Sequence, residues 1–147
     1  ITFAHALTVD VEEYFHATNL EEVCPPHSWH SLPSRVVSST ERLLDLFQES
    51  GARATFFILG YSARRHPALV RRIFHDGHEV ASHGYAHRLV YKETRAHFAR
   101  DIRRSKHLLE DLIGAPVLGY RAPNFSIRDD TPWAYEELVK AGYRYDS

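Results

Sequence analysis

The sequence predicts an α/β domain built on a mainly parallel sheet, and three observations predict it. Short β-prone apolar runs alternate with segments of helical period along the chain. Gly or Pro punctuates most of the junctions between them. The three segments richest in chemistry-bearing side chains, Asp10 to Glu13, Ser82 to His87 and Arg121 to Ser126, each follow a predicted strand directly. Parallel α/β folds place their ligands at such carboxyl ends.

Ala4 to Val11 reads as the first strand, and a loop rich in Pro, Ser and His follows through Pro33. Ser38 or Ser39 is placed to cap a helix running to about Glu49, with Leu43, Leu44 and Phe47 on its apolar side and Gly51 as its stop. Ala54 to Leu59 is strongly β-prone. Pro67 suits the first turn of a helix carrying Leu69, Val70, Ile73 and Phe74, ended by Asp76-Gly77. Glu79 to Ser82 reads as a short strand. Thr94 opens a long amphipathic helix with Phe98, Ile102, Leu108, Leu109 and Leu112, closed by Gly114 and Pro116. Val117 to Tyr120 is the next strand, Asp130 to Ala141 the last helix, and Tyr143 to Asp146 a further extended segment. About five strands and four helices fall short of an eight-stranded barrel of ~250 residues. The expectation is therefore the first part of a barrel or an open sheet, a fragment of one domain covering 1–147.

Composition narrows the function classes. A formal net charge of -1 with scattered basic residues lacks the footprint of a nucleic-acid binder. Arg100, Arg103, Arg104 and Lys106 read as a solvated helix face. One cysteine, Cys24, excludes an intrachain disulfide and a four-cysteine metal site. No apolar run approaches a membrane span, and the opening residues lack a signal peptide's basic region, which points to a cytoplasmic chain, with envelope association also compatible.

His83 and His87 are spaced to meet one ion. On one turn of helix, residues i and i+4 share a face, although 11 histidines in 147 residues also produce such a pair by chance. Two imidazoles and one carboxylate form a common catalytic zinc shell with a position open for water. Asp10, Glu12 and Glu13 are each ordinary surface residues taken singly, yet two carboxylates beside a metal divide the labour, one ligating and the other accepting a proton. Arg121 is suited to hold a carboxylate ionised through a bidentate contact. After the rigid Pro123, the N–H of Asn124 or Phe125 is available to an oxyanion. Tyr14, Phe15, Tyr85 and Phe125 are candidate pocket walls, with core packing the commoner fate of each.

Taken together these segments resemble the polysaccharide deacetylase family, the NodB-homology or carbohydrate esterase family 4. Its motifs T-F-D-D, H-[ST]-x-x-H and R-x-P-[YF] correspond to Thr8-Val9-Asp10-Val11-Glu12, His83-Gly84-Tyr85-Ala86-His87 and Arg121-Ala122-Pro123-Asn124-Phe125. Ala54 to Gly60 and Gly77 to His83 are similar as well. The resemblance implies a distorted, incomplete (β/α) barrel that removes N-acetyl groups from a glycan with Zn²⁺ or another divalent transition metal. It implies Asp10 as catalytic base, Arg121 as the residue bracing it, and His83 and His87 as metal ligands. The family's second Asp falls on Val11, which leaves Glu12 as third ligand and Glu13 in reserve. Gly84 stands where Ser or Thr is usual and loses a bracing hydroxyl. The general acid, a histidine in the family's later motifs, is expected beyond Ser147. The wording of the first and third motifs is similar to bacterial deacetylases associated with exopolysaccharide. An allantoinase- or imidase-like amidohydrolase of small cyclic amides and a non-catalytic, metal-stabilised sugar-binding module are the rival readings.

Overall fold

The structure is a computed structural model and describes residues 5–147. Ala4, the expected start of the first strand, lies outside the described residues. Five strands, β1 (Thr8–Val11), β2 (Thr55–Ile58), β3 (Glu79–Ser82), β4 (Gly119–Tyr120) and β5 (Tyr145–Asp146), form one parallel sheet in chain order. Helices fill every crossover: α1 (Val36–Ser50), α2 (Gly60–Arg65) with α3 (Pro67–His75), α4 (Arg95–Ile113) and α5 (Trp133–Lys140). The described sheet has two open edges, β1 and β5, as a partial barrel does.

Alternation along the strands separates two faces. Val11, Phe56, Ile58, Val80 and Tyr120 pack with Leu44, Ile73, Phe98, Ile102, Leu109 and Leu138 of the helices. Each such side chain contributes about 1.5–3 kcal/mol through burial. The opposite face carries Thr8, Asp10, Phe57 and Arg121. There the Arg121 guanidinium lies 4.1 Å from the Phe57 ring centre and hydrogen-bonds both Thr8 and Asp10. Catalysis-capable side chains thus occupy the face that the helices leave uncovered.

Several expectations change. Helix α1 begins at Val36 rather than Ser38, because its free N–H groups are met by a carboxylate from elsewhere in the chain: Arg35 N and Val36 N donate to Glu13 Oε2 at 2.9 and 3.3 Å. Helix α2 was not anticipated and raises the helix count to five. The N–H groups of Gly60 and Tyr61 in its first turn donate to the carbonyls of Gly84 and Tyr85, both at 2.8 Å. Thr94 caps α4 as expected, its hydroxyl accepting from His97 N. Lys106 is buried, not solvated, and donates to Glu110 and to the Val117 carbonyl.

Candidate metal centre

The segment from His83 to His87 is a loop, not the helical turn that its spacing allows. His87 has a φ of 53° and Gly84 of 74°, so a left-handed loop brings the two rings to a centre distance of 5.3 Å. Tertiary partners hold it. Tyr85 N donates to Asp101 Oδ2 at 2.8 Å, Ser105 Oγ donates to Gly84 O at 3.0 Å, and Gly84 N donates to Ser82 Oγ at 3.2 Å. At Gly84 a side chain would adopt a strained φ, and its Cβ would lie 3.1 Å from Asp101 Oδ2, so Ser or Thr would be strained here and would press on that carboxylate. The hydroxyls of Ser82 and Ser105, 2.8 Å apart, brace the loop instead.

Glu12, His83 and His87 offer one ligand atom each, all within 4.8 Å of one another. His83 Nδ1 lies 2.8 Å from the Arg121 carbonyl, which can only accept. The hydrogen is therefore on Nδ1, and Nε2 keeps its lone pair for an ion. Glu12 Oε2 lies 2.9 Å from His87 Nε2, its nearest charged neighbour, and this buried oxygen makes no well-formed hydrogen bond. Burial works to raise the Glu12 carboxyl, but His87 beside it and the charges of His83 and His16 outweigh burial and hold it below its ordinary value. Burial pushes His83 down against the pull of Asp10 and Glu12. Carboxylate and neutral imidazole are the ligating forms. Two imidazole nitrogens and a carboxylate whose buried Oε2 is unpartnered fit a divalent transition ion.

Asp10, at the end of β1, accepts from Arg121 Nη1 at 2.8 Å. The contact is single rather than bidentate, since Nη2 turns to Thr8 Oγ1 at 3.1 Å and Ser147 Oγ at 2.8 Å. Arg121 thus links both halves of the site: its guanidinium holds Asp10, and its carbonyl orients His83. Beyond it, Asn124 and Phe125 both have positive φ, 51° and 50°. Phe125 N donates to the Ala122 carbonyl at 2.9 Å, which commits one of the two N–H groups considered for an oxyanion.

Glu13 lies outside the cluster. Its carboxylate caps α1 and also accepts from Ser34 Oγ, so the reserve ligand serves the fold. Of the four aromatic wall candidates, only Phe15 lines the cavity of about 340 Å³ that borders His87. Phe125 and Tyr14 are exposed, and Tyr85 packs under Arg104. Sequence reasoning missed His16, Asp101 and Ser105. The last two were detectable as polar residues on the apolar stripe of α4 beside Phe98, Ile102 and Leu109.

The family model described as Polysaccharide deacetylase matches residues 28–145. That span holds His83, His87 and Arg121. Asp10 and Glu12 precede it and join them through the parallel pairing of β1 with β2. The peptidoglycan-N-acetylglucosamine deacetylase of Bacillus cereus is 30% identical over 105 residues, 71% of this chain and 47% of the relative. The peptidoglycan deacetylase of Helicobacter pylori is 34% identical over 105 residues, 71% of this chain and 35% of the relative. A Mycobacterium smegmatis crystal structure assigned to the polysaccharide deacetylases superposes with a TM-score of 0.76 at 30% identity, covering 96% of this chain and 49% of that one. The chain spans less than half the length of each. With an open parallel sheet, three motif segments meeting at its carboxyl edge and a family match over most of its length, the chain belongs to the polysaccharide deacetylase family.

Proposed function

We propose that this chain carries the metal and base half of a deacetylase that hydrolyses the acetamide of an N-acetylated glycan. The observation that carries the proposal is the convergence of Glu12, His83 and His87, with the Asp10–Arg121 pair on the adjoining strand ends. Glu12, His83 and His87 would hold Zn²⁺ or a similar divalent ion. Such an ion supplies Lewis acidity, polarising the carbonyl and lowering the pKa of water.

Asp10 accepts the proton of the attacking water, and the Arg121 hydrogen bond holds its carboxylate in place. His83 presents Nε2 because the Arg121 carbonyl fixes its tautomer. With Phe125 N–H committed, Asn124 N–H is the remaining backbone donor for the oxyanion. The attack breaks the amide C–N bond, releasing acetate and a free amine. On the family's pattern the amine takes its proton from a histidine of the later motifs.

The relatives are named for peptidoglycan, which supports a glycan over a small cyclic amide. The motif wording supports an exopolysaccharide, so each is a substrate to test. Acetate release from N-acetylated exopolysaccharide and from peptidoglycan is to be measured on the full-length polypeptide after chelation and after zinc reloading. Release that returns with zinc and falls at least 10³-fold in Asp10→Asn supports the reading. Full activity of the chelated protein or of Asp10→Asn refutes it.

A further inference from the structure

Residues 51–75, which hold β2, α2 and α3, carry no carboxylate, and the outer side of α4 carries arginines without alternating acids. Arg100, Arg103 and Arg104 stand at i, i+3 and i+4, so they share one face of that helix, and all three are exposed. Lys106, the other basic residue of this stretch, is buried and paired with Glu110. Among the described residues the arginines in ion pairs are Arg72, Arg95, Arg121 and Arg128. Arg100, Arg103 and Arg104 join none, and neither does the exposed Arg65 at the end of α2. Asp101, between them on α4, turns its carboxylate inward to Tyr85 N at 2.8 Å. Like charges at i+3 and i+4 repel, so the chain alone holds this face at an electrostatic disadvantage that an anionic partner removes.

Tertiary contacts join the arginines of the two helices in one strip. The Arg104 guanidinium lies 3.5 Å from the Tyr85 ring centre, and the Tyr85 ring crosses Gly60 so closely that a Cβ there would meet it at 2.5 Å. Tyr61 N donates to Tyr85 O at 2.8 Å, and Arg65 Nη1 donates to the Tyr61 hydroxyl at 3.1 Å. The strip therefore runs from α4 over the ligand loop to α2, with Tyr85, midway between His83 and His87, at its centre. A guanidinium resting on a ring keeps its in-plane N–H donors pointing sideways, away from the ring. Arg104 is thus a preset fork for a carboxylate.

The surroundings choose among polyanions. A bilayer takes up an apolar face, and the α4 face at positions 100, 103 and 104 has none. A nucleic acid stacks its bases on bare aromatic faces, whereas Arg104 occupies the face of Tyr85. A glycan with carboxylates asks only for spaced donors, and it reaches the strip directly from the reaction centre. We infer that this strip docks a carboxylate-bearing polysaccharide, whose acidic residues lie along Arg65, Arg100, Arg103 and Arg104 while another residue of the polymer meets the metal centre. The inference rests on the glycan reading of that centre and adds the charge of the polymer to it.

Calorimetric binding of an oligogalacturonate, which has carboxylates and no acetamide, to the metal-chelated full-length polypeptide tests it, with the fully methyl-esterified oligomer as the uncharged control. Arg65→Gln/Arg100→Gln/Arg103→Gln removes three charges and leaves the Arg104 contact with Tyr85 and the metal ligands in place. The expected result is saturable binding of the acid form alone, weakened about tenfold in the triple variant and also by high salt, with zinc affinity unchanged. Equal affinity of the triple variant and the parent overturns the inference, as does equal binding of the methyl ester. Tighter arginine-dependent binding of phosphatidylglycerol vesicles or of single-stranded DNA overturns it too. If the triple variant fails to fold, Arg103→Glu reverses one charge on the exposed helix face, and unchanged oligogalacturonate affinity there overturns it equally. Arginine-dependent oligogalacturonate binding without metal-dependent acetate release would sink the deacetylase assignment alone. Metal-dependent acetate release by a protein that ignores oligogalacturonate would sink the docking assignment alone.

Discussion

Asp101 offers a sharp test of how the histidine loop is held. Its carboxylate accepts the Tyr85 N–H midway between His83 and His87, from a position on α4 beside the core residues Phe98 and Ile102. Burial raises this carboxyl from 3.8 to about 6; the Tyr85 hydrogen bond opposes burial, Glu93 adds to it, and His97 and Arg88 oppose it. A carboxyl raised on folding takes up a proton as the chain folds. Its favourable contribution is fully present below 3.8 and lost as the pH climbs through about 6. At 1.36 kcal/mol per unit, the difference between those values corresponds to about 3 kcal/mol as an upper bound. Asp101→Asn removes the buried charge and retains an oxygen to accept from Tyr85. Urea unfolding of the parent and Asp101→Asn in chelator, from pH 4 to 7.5, isolates the group because other titrations cancel in the difference. The variant should match the parent near pH 4 and exceed it by up to about 3 kcal/mol at pH 7.5. A difference that is flat with pH, or one that favours the parent as pH rises, would refute the reasoning.

Zinc at a hundredfold excess over its Kd should stabilise the parent by about 2.7 kcal/mol, and chelation should abolish that gain. Thermal unfolding of a His83→Ala/His87→Ala variant should show no zinc response. Glu12→Gln and Glu13→Gln should separate ligation from capping: the first should lose zinc stoichiometry with little change in metal-free stability. The second should keep zinc and lose about 1–2 kcal/mol in denaturant titration, because α1 loses its borrowed carboxylate. Gly119→Ala should cost about 1–3 kcal/mol in urea, since a Cβ there would meet the Tyr145 ring at 2.2 Å. A neutral outcome would mean that β5 yields freely at that edge.

Strand and helix order was legible because period-2 and period-3.6 patterns are local properties of the chain. The site segments were legible because parallel sheets gather strand ends. Cap identity was not, since the carboxylate that caps α1 comes from Glu13, more than twenty residues upstream. Helix α2 escaped because Gly60-Tyr61-Ser62 has weak helix propensity, and its first N–H groups are satisfied by Gly84 and Tyr85 rather than by a local cap. The i, i+4 spacing of His83 and His87 suggested a helical turn, while the structure meets the same demand with two positive-φ residues in a pinned loop.

Gly84 shows how a departure from a motif is to be weighed. On the sequence alone, Gly in place of Ser or Thr counts against the site, because a hydroxyl that steadies the ligand loop is gone. In the fold, Gly84 sits at a φ of 74° with Asp101 pressed against the space a side chain would fill. Asp101, Ser105 and Ser82 supply the missing bonds from α4 and β3. Each hydrogen bond of this kind nets about 0.5–1.5 kcal/mol, so three of them outweigh one lost hydroxyl contact. Gly84 and Asp101 therefore form one unit: Gly84→Ser should collide with the very carboxylate that replaces the motif's hydroxyl. Restoring the family's usual residue should weaken zinc binding rather than strengthen it, and only a joint Gly84→Ser/Asp101→Ala change should recover part of the loss. Tighter zinc binding by Gly84→Ser alone, in a titration against a competing chelator, would show that the loop is not held as the structure has it.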